Sequence, residues 1–369
     1  MASLSAFNVS IGILGHVDSG KTTLAKQLSS IASTAAFDKN PQSQTRGITL
    51  DLGFSGFYAP VPDHWQEHGI DAERTLVTLV DCPGHASLVR TIIGGAQIID
   101  VTLLVVDATK GIQTQTAECL VLAQIIGRPL VIALNKIDLF PEAVRATKTA
   151  KIAQAMAKAI SPLGFGDVPM VAVSAESNDR TANGLDQLVH ALRAVFPVPT
   201  PLDATRPFLF AMDHCFALKG QGTIMTGTVL DGAVAVGDMV EITQGQTRKV
   251  KSMQRFRQSI DRACKGDRIG ICVKQLDAGA FERGLVATPG VVRLAYAAMI
   301  DVRRIPFYKG SCQSRSKFHV TVGYETVTAQ IVDDYTLIGR DLVRKKEGTL
   351  DKFIDLSVVV GLPVPRTHR

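Results

Sequence analysis

The sequence predicts an α/β domain with a doubly wound, mostly parallel sheet, followed by one or more β-barrel domains. Up to about residue 196, short and continuously apolar segments alternate with helix-length segments, which is typical of parallel strands buried on both faces. Prolines at positions 197, 199 and 201 then stop any helix or central strand, and we interpret this stretch as a stiff linker. Beyond it, short alternating strands with glycine turns indicate a small barrel.

The individual elements follow this division. In the first domain the apolar runs predict strands over 8–14, 76–81, 101–107, 130–135 and 170–174. Helices are predicted over 22–31, 113–126 and 141–159, and barrel strands over 223–230 and 240–242. The polar, histidine-containing stretch 60–74 fits neither pattern. We interpret it as a surface hairpin insertion that carries Trp65.

The composition excludes several classes of protein. With 369 residues, of which 46% are hydrophobic and 20% charged, the chain is long enough for two or three globular domains and is not disordered. No apolar run reaches the roughly 18 residues of a membrane span, and the first residues lack the basic start of a secretory signal. The six cysteines form no C-x-x-C pair. This usage favours a reducing, cytoplasmic compartment without disulfides.

Charge is distributed unevenly between the two halves of the chain. Residues 1–197 carry 15 basic and 17 acidic side chains, whereas residues 198–369 carry 25 basic and 17 acidic ones. The second half therefore has a net charge of +8, and it favours a polyanionic partner over a plain solvated surface.

A phosphate-binding motif opens the first helix. The segment 15–22, Gly-His-Val-Asp-Ser-Gly-Lys-Thr, matches G-x-x-x-x-G-K-[ST] and stands between a predicted strand and a predicted helix. Its backbone N–H groups are expected to wrap phosphates, with Lys21 neutralising their charge and the Thr22 hydroxyl binding Mg²⁺. The predicted phosphate-binding residues are Asp18, Ser19, Gly20, Lys21, Thr22, Thr23 and Gly84.

Two further segments are predicted to bring functional side chains and a backbone N–H group close to this loop. Asp81 ends a buried strand and is a predicted Mg²⁺ ligand, and Gly84 follows it at a position where its N–H can meet a γ-phosphate. Thr49, on the loop after the first helix, is expected to reach Mg²⁺ only when a γ-phosphate orders that loop. His85 stands next to Gly84, and we predict that its imidazole orients the attacking water.

The base specificity follows from the segment Asn135-Lys136-Ile137-Asp138 at the end of another strand. A carboxylate at 138 accepts both N–H donors of a guanine edge, whereas adenine presents the wrong pattern. Ser174 and Ala175, after a later strand, are expected to close over the base. Together with the phosphate loop and Asp81, this order of motifs predicts a GTPase that uses GTP, GDP and Mg²⁺.

These motifs resemble those of the translational GTPases typified by elongation factor Tu, and residues 220–229 resemble the signature of their first barrel. Within that class the chain is most similar to the eukaryotic selenocysteine-specific elongation factors over residues 1–331. The segments that carry the similarity are 32–38, 44–54, 81–87, 93–100, 213–216 and 266–268.

The resemblance implies a monomeric, GTP-dependent carrier that delivers selenocysteinyl-tRNA to the ribosome at UGA. It also implies an aminoacyl pocket made by Asp213, His214 and Arg268. A selenol is more acidic than a serine hydroxyl, so His214 and Arg268 are expected to select an anionic selenolate over the seryl precursor by charge. A plain salt bridge between Asp267 and Arg268 is the competing interpretation of that barrel segment. Two other functions stay open, a subunit like initiation factor two gamma or the GTPase of a sulfate adenylyltransferase-like complex.

The resemblance also predicts domain boundaries. It places the GTP-binding domain at 1–197, the first barrel at 203–292, a partial second barrel at 293–331, and the start of a fourth domain at 332–369. The chain is thus shortened at its C-terminus relative to the family. This shortening argues against a partner that binds the selenocysteine signal RNA.

Overall fold

The computed structural model describes most of the first 292 residues and four strands beyond them. The described residues are 6–32, 53–70, 72–82, 96–176, 183–199, 205–218, 220–242, 245–281, 283–292, 315–322, 325–330, 335–338 and 341–344. Every helix within these ranges is too short or too polar to span a bilayer. The five cysteines that the structure describes are all free thiols.

The first domain is built on a seven-stranded sheet. Its strands are β1 (Ala6–Gly15), β2 (Ile31–Ala32), β3 (Gly53–Pro60), β4 (Arg74–Asp81), β5 (Val101–Asp107), β6 (Leu130–Asn135) and β7 (Met170–Ala172). They lie in the order β2-β3-β4-β1-β5-β6-β7. The strands from β4 to β7 run parallel, whereas β3 is antiparallel to β4 and β2 to β3. The predicted doubly wound, mostly parallel sheet is confirmed.

Helices cover both faces of this sheet. They are α1 (Lys21–Leu28), α2 (Asp63–Glu67), α3 (Thr114–Ile126), α4 (Glu142–Ile160) and α5 (Leu185–Ala194). One apolar core packs α1, α2 and α5 against the sheet, and a second packs α3 and α4 against the other face. The carboxyl ends of β1, β4, β5 and β6 therefore meet at one open edge, where an α/β sheet binds its ligands.

The connection between β3 and β4 differs from the prediction. Trp65 was expected on a surface hairpin, yet its side chain is fully buried. Its ring packs edge-on against Phe7, with 5.8 Å between the ring centroids. The short helix α2 docks on the end of α5, where Arg193 donates to the carbonyl oxygens of Pro60 and Val61 at 2.9 and 2.7 Å. The expectation was wrong because burial here comes from packing against distant parts of the chain.

A six-stranded barrel forms the second domain. Its strands are β8 (Leu209–Leu218), β9 (Gly222–Asp231), β11 (Met239–Ile242), β12 (Gln246–Arg255), β15 (Arg268–Val273) and β16 (Gly284–Ala287). The order is β11-β16-β8-β9-β15-β12, and pairing between β11 and β12 closes the circle. Three short strands decorate it, namely β10 (Ala233–Ala235), β13 (Gln258–Ile260) and β14 (Arg262–Cys264). Alternate side chains point inward and form a separate apolar core.

The barrel packs directly on the first domain. Ala211 of β8 belongs to the same apolar core as α3 and α4, and Leu230 of β9 packs against that core. Asn8 of β1 donates its side-chain amide to the carbonyl oxygen of Gly266 in the barrel. These contacts join the barrel to the first domain at several points.

Two hairpins follow in the last part of the chain that the structure describes. The first pairs β17 (Lys317–Val322) with β18 (Glu325–Gln330), and the second pairs β19 (Tyr335–Ile338) with β20 (Asp341–Arg344). The domain boundaries proposed at 293–331 and 332–369 stay predictions.

Candidate functional site

The phosphate loop lies where β1 ends and α1 begins. Gly20 adopts the left-handed conformation with φ of 89°, and a Cβ there would collide with the side-chain amide of Asn135. Lys21 is buried and folds back to donate from Nζ to the carbonyl oxygen of His16 at 2.8 Å. Burial lowers the pKa of Lys21, and the nearby carboxylate of Asp81 opposes that fall. The loop thus presents a cation and a glycine-lined backbone to the same space.

The predicted phosphate-binding residues occupy this loop and its helix. Asp18 has φ of 62° and is exposed, whereas Ser19 is buried with its hydroxyl unbonded among the described residues. Thr23, the third residue of α1, is half-buried. A buried, unbonded hydroxyl in a loop of this shape fits a polyanion such as a nucleotide phosphate.

The predicted metal ligands converge on one point. The Thr22 hydroxyl donates to Asp81 Oδ2 at 2.6 Å, and Asp81 is only 2% exposed at the end of β4. A hydroxyl and a carboxylate are the hard oxygen donors that Mg²⁺ prefers, so this pair fits the ion. Three predicted site residues, Thr49, Gly84 and His85, lie outside the described residues.

Hydrogen bonds connect the residues that are predicted to bind guanine. Asn135 donates from Nδ2 to the carbonyl oxygen of Ser19 at 2.9 Å, and its Oδ1 accepts from the N–H of Ala175 at 3.0 Å. This buried amide therefore joins the phosphate loop to the loop after β7. Asp138 is exposed, and it accepts a hydrogen bond from the hydroxyl of Ser174. Asn135 therefore links the two loops, and the contact of Asp138 with a guanine base stays a prediction.

Lys136 is held by a residue that the sequence did not single out. Its Nζ lies 3.0 Å from Asp107 Oδ2, at the carboxyl end of β5. Burial raises the pKa of Asp107, but hydrogen bonds from Thr109 and Lys136 outweigh it and bring the pKa below its usual value. The position of Asp107 at a strand end was the signal that sequence reasoning passed over.

The predicted aminoacyl-pocket residues meet on the outside of the barrel. Arg268 donates to both oxygens of Asp213, at 2.5 Å to Oδ2 and 3.2 Å to Oδ1. His214 Nδ1 lies 2.8 Å from Asp213 Oδ1, and the Thr226 hydroxyl donates to the same oxygen at 2.9 Å. Asp213 and Arg268 are 2% and 6% exposed, whereas the His214 side chain is 31% exposed. His214 is therefore the member of the cluster that solvent reaches most easily.

The electrostatics of this cluster favour a charged carboxylate. Burial raises the pKa of Asp213, but the charge of Arg268 and hydrogen bonds from His214 and Arg268 prevail, so the pKa falls to about 2. The competing salt bridge between Asp267 and Arg268 is not formed. Asp267, which directly precedes β15, instead pairs with Arg255 at 2.8 Å and accepts from the backbone N–H of Cys264.

Arg268 also contacts the first domain. Its guanidinium carbon lies 3.1 Å from the centroid of the Phe54 ring on β3. Phe54 was not among the predicted site residues, because it lies in a strand that the apolar pattern did not reveal. The predicted pocket residues therefore lie at the junction of the two domains.

Three parts of the chain match known protein families. Residues 7–198 match the elongation factor Tu GTP-binding domain, residues 222–288 match elongation factor Tu domain 2, and residues 299–340 match the third domain of eukaryotic selenocysteine-specific elongation factors. The third match favours this family over the two alternative functions that the sequence left open.

Two similar proteins are named selenocysteine-specific elongation factors. A selenocysteine-specific elongation factor of Mus musculus is 51% identical over 327 residues, which cover 87% of this chain and 56% of that protein. One of Methanocaldococcus jannaschii is 35% identical over 336 residues, covering 89% of this chain and 67% of that protein. The chain thus spans little more than half the length of the mouse relative.

Solved structures show the same fold. Translation elongation factor SelB of Methanococcus maripaludis, in complex with the GTP analogue GppNHp, aligns with a TM-score of 0.72 at 27% identity, over 92% of this chain and 68% of that one. A bacterial selenocysteine-specific elongation factor gives a TM-score of 0.70 at 26% identity, over 93% of this chain and 54% of that one. With its elongation factor Tu GTP-binding domain, its closed barrel and these relatives, the chain belongs to the family of selenocysteine-specific elongation factors.

Proposed function

We propose that this chain is a cytoplasmic, monomeric translation factor that binds selenocysteinyl-tRNA when it holds GTP and delivers it to the ribosome at UGA. On decoding it hydrolyses GTP to GDP and phosphate. The observation that carries the proposal is the presence, in one chain, of a guanine-nucleotide site and of the cluster formed by Asp213, His214 and Arg268 at the junction with the barrel. Relatives named for the same activity support it.

In this proposal each part of the nucleotide site has one task. The phosphate loop binds the phosphates with its N–H groups and the Lys21 ammonium, and Asp138 selects guanine. Thr22 and Asp81 would hold Mg²⁺, with Thr49 as a further ligand, and the ion would neutralise negative charge on the phosphates. Gly84 would bind the γ-phosphate, and His85 would orient the attacking water.

The pocket is proposed to recognise the charge of the aminoacyl group. Asp213 forms an ion pair with Arg268 and neutralises much of its charge. Asp213 is also hydrogen-bonded to Nδ1 of His214, so Nε2 is the imidazole atom that would meet a selenolate. Seryl-tRNA offers a neutral hydroxyl at that place and forms no charge-assisted contact. Such contacts are worth about 1.5–3 kcal/mol, enough for roughly tenfold discrimination or more.

Binding of three aminoacyl-tRNAs tests the proposal. The chain is loaded with a non-hydrolysable GTP analogue or with GDP, and its affinities for selenocysteinyl-, cysteinyl- and seryl-tRNA are measured together with protection of the ester from hydrolysis. We expect selenocysteinyl-tRNA to bind at least about tenfold tighter than seryl-tRNA, and only with the GTP analogue. Equal affinities for the three, or no dependence on the nucleotide, would overturn the proposal.

A further inference from the structure

Strand β3 presents two faces to two different surroundings. Phe54 is fully buried and contacts Arg268 of the barrel, and Gly56, two residues further on, lies against Phe256 of the barrel. A Cβ at Gly56 would stand 3.2 Å from the Phe256 ring. Phe57 points the other way into the core shared by α1, α2 and α5. The barrel therefore touches one face of β3, at alternate residues.

Strand β3 is also paired with β4, the strand that ends at the predicted metal ligand Asp81. Gly53 is paired with Asp81 in the antiparallel ladder between β3 and β4, and Phe54 is paired with Val80. Asp81 in turn accepts the hydroxyl of Thr22 at 2.6 Å. Phe54 thus lies one residue along the ladder from the level of a predicted metal ligand.

On the barrel side, the contact leads straight into the aminoacyl pocket. The guanidinium that stacks on Phe54 also forms the two-pronged hydrogen bond with Asp213, which holds His214. A planar guanidinium cannot keep both hydrogen bonds if its plane is rotated, because its donors form a fixed fork. The ring of Phe54 therefore helps to fix the plane in which Arg268 meets Asp213.

We propose that Phe54 is a positioning residue that couples the nucleotide site to the aminoacyl pocket, so that the pocket binds its ligand tightly only in one nucleotide state. The inference rests on the proposed function. Nucleotide-dependent adjustment of the β3–β4 ladder near Asp81 reaches Phe54 directly, and the stacked guanidinium transmits it to Asp213 and His214. Coupling of this kind is a difference in binding free energy between two states, and it works in both directions.

Matched substitutions on the two faces of β3 test the proposal. Phe54→Leu removes the ring but keeps an apolar side chain, and Phe57→Leu makes the same change on the opposite face. The measured quantity is the ratio of the affinities for selenocysteinyl-tRNA with the GTP analogue and with GDP. We expect Phe54→Leu to lower this ratio about tenfold, equivalent to about 1.4 kcal/mol, and to leave GTP affinity within about twofold. Phe57→Leu should keep the ratio of the wild type.

A double substitution separates coupling from general damage. Arg268→Lys keeps the charge but loses the fork, so it should lower the ratio as well, and Phe54→Leu combined with it should add little. A conservative Phe54→Tyr variant, which keeps the ring, should restore most of the ratio. Additive effects, or a ratio unchanged by Phe54→Leu, would overturn the inference while leaving the proposed function intact.

A second readout needs no tRNA. Hydrogen–deuterium exchange of β8 is compared with the GTP analogue and with GDP, in the wild type and in Phe54→Leu. We expect slower exchange around Asp213 with the GTP analogue in the wild type and no such difference in the variant. The same exchange in both nucleotide states of the wild type, or an unchanged difference in the variant, would refute the coupling. If instead the wild type failed to bind selenocysteinyl-tRNA but passed this test, the proposed function would fail alone.

Discussion

Replacing Asp213 by asparagine should destabilise the protein by at least about 2 kcal/mol at neutral pH. Asparagine has the shape of the protonated carboxylic acid, so the substitution imitates permanent protonation of Asp213. The pKa of that carboxyl is about 2 instead of the usual 3.8. This difference corresponds to about 2 kcal/mol of stability gained from ionisation, at 1.36 kcal/mol per pKa unit.

The buried arginine adds to this loss. Arg268 is 6% exposed, and without Asp213 its charge stays in the junction without its carboxylate partner. Breaking a buried pair from one side costs about 3–5 kcal/mol in other proteins, so the expected loss lies between about 2 and 5 kcal/mol. Removing both charges in an Asp213→Asn, Arg268→Met double variant should recover part of it.

Chemical denaturation followed by far-UV circular dichroism measures this loss. Asp261→Asn, a change at an exposed carboxylate of the same barrel, is the matched control and should have little effect. The lowered pKa of Asp213 also determines how the stability changes with pH. A lowered carboxyl pKa stabilises the fold above pH 3.8, and this stabilisation disappears as the pH falls towards 2. The reasoning would be refuted if Asp213→Asn cost no more than the control at neutral pH.

Four further predictions concern the first domain. Asn135→Ala removes both links between the nucleotide loops and should weaken GTP binding at least about tenfold in an equilibrium titration with a fluorescent analogue, which an unchanged affinity would contradict. Asp138→Asn should shift preference from GTP towards xanthosine triphosphate in a competition assay, and unchanged preference would remove the guanine assignment. Gly20→Ala places a methyl group against Asn135 and should abolish detectable nucleotide binding while the far-UV spectrum stays native; near-normal affinity would show that the loop tolerates a side chain. Trp65, the single tryptophan, should emit at short wavelength in the native protein and shift to longer wavelength on unfolding, and a native spectrum typical of exposed tryptophan would contradict its burial.

Local patterns predicted the parts of the fold that depend on neighbouring residues. The strands at 101–107 and 130–135 were predicted with their observed bounds, because an apolar run buried on both faces is visible in the sequence alone. The phosphate loop could be predicted in the same way, because eight contiguous residues define it. Strand β3 was missed because its glycines and terminal Pro60 are typical of turns, and only its pairing with β4 makes it a strand.

Partners that are distant in sequence could not be assigned in the same way. Asp267 is the nearest carboxylate to Arg268 along the chain, yet Asp267 binds Arg255 whereas Arg268 binds Asp213. The partner that forms, Asp213, is 55 residues away, and only the pairing of β8 with β9 and of β9 with β15 brings the two together. Likewise, the burial of Trp65 depends on where α5 ends, which no local pattern encodes.

The docking of α2 has a consequence for the way the two domains stay together. His64 lies 2.8 Å from the carbonyl oxygen of Phe196, which is buried, and Val198 packs against the same core. The segment between Val198 and Phe208, whose ring already belongs to the barrel core, is therefore only nine residues long. A short tether gives its two ends an effective concentration in the millimolar range. Contacts worth only about 4 kcal/mol between separate molecules then suffice to keep the junction closed, and they can open and close again without the partners ever diffusing apart.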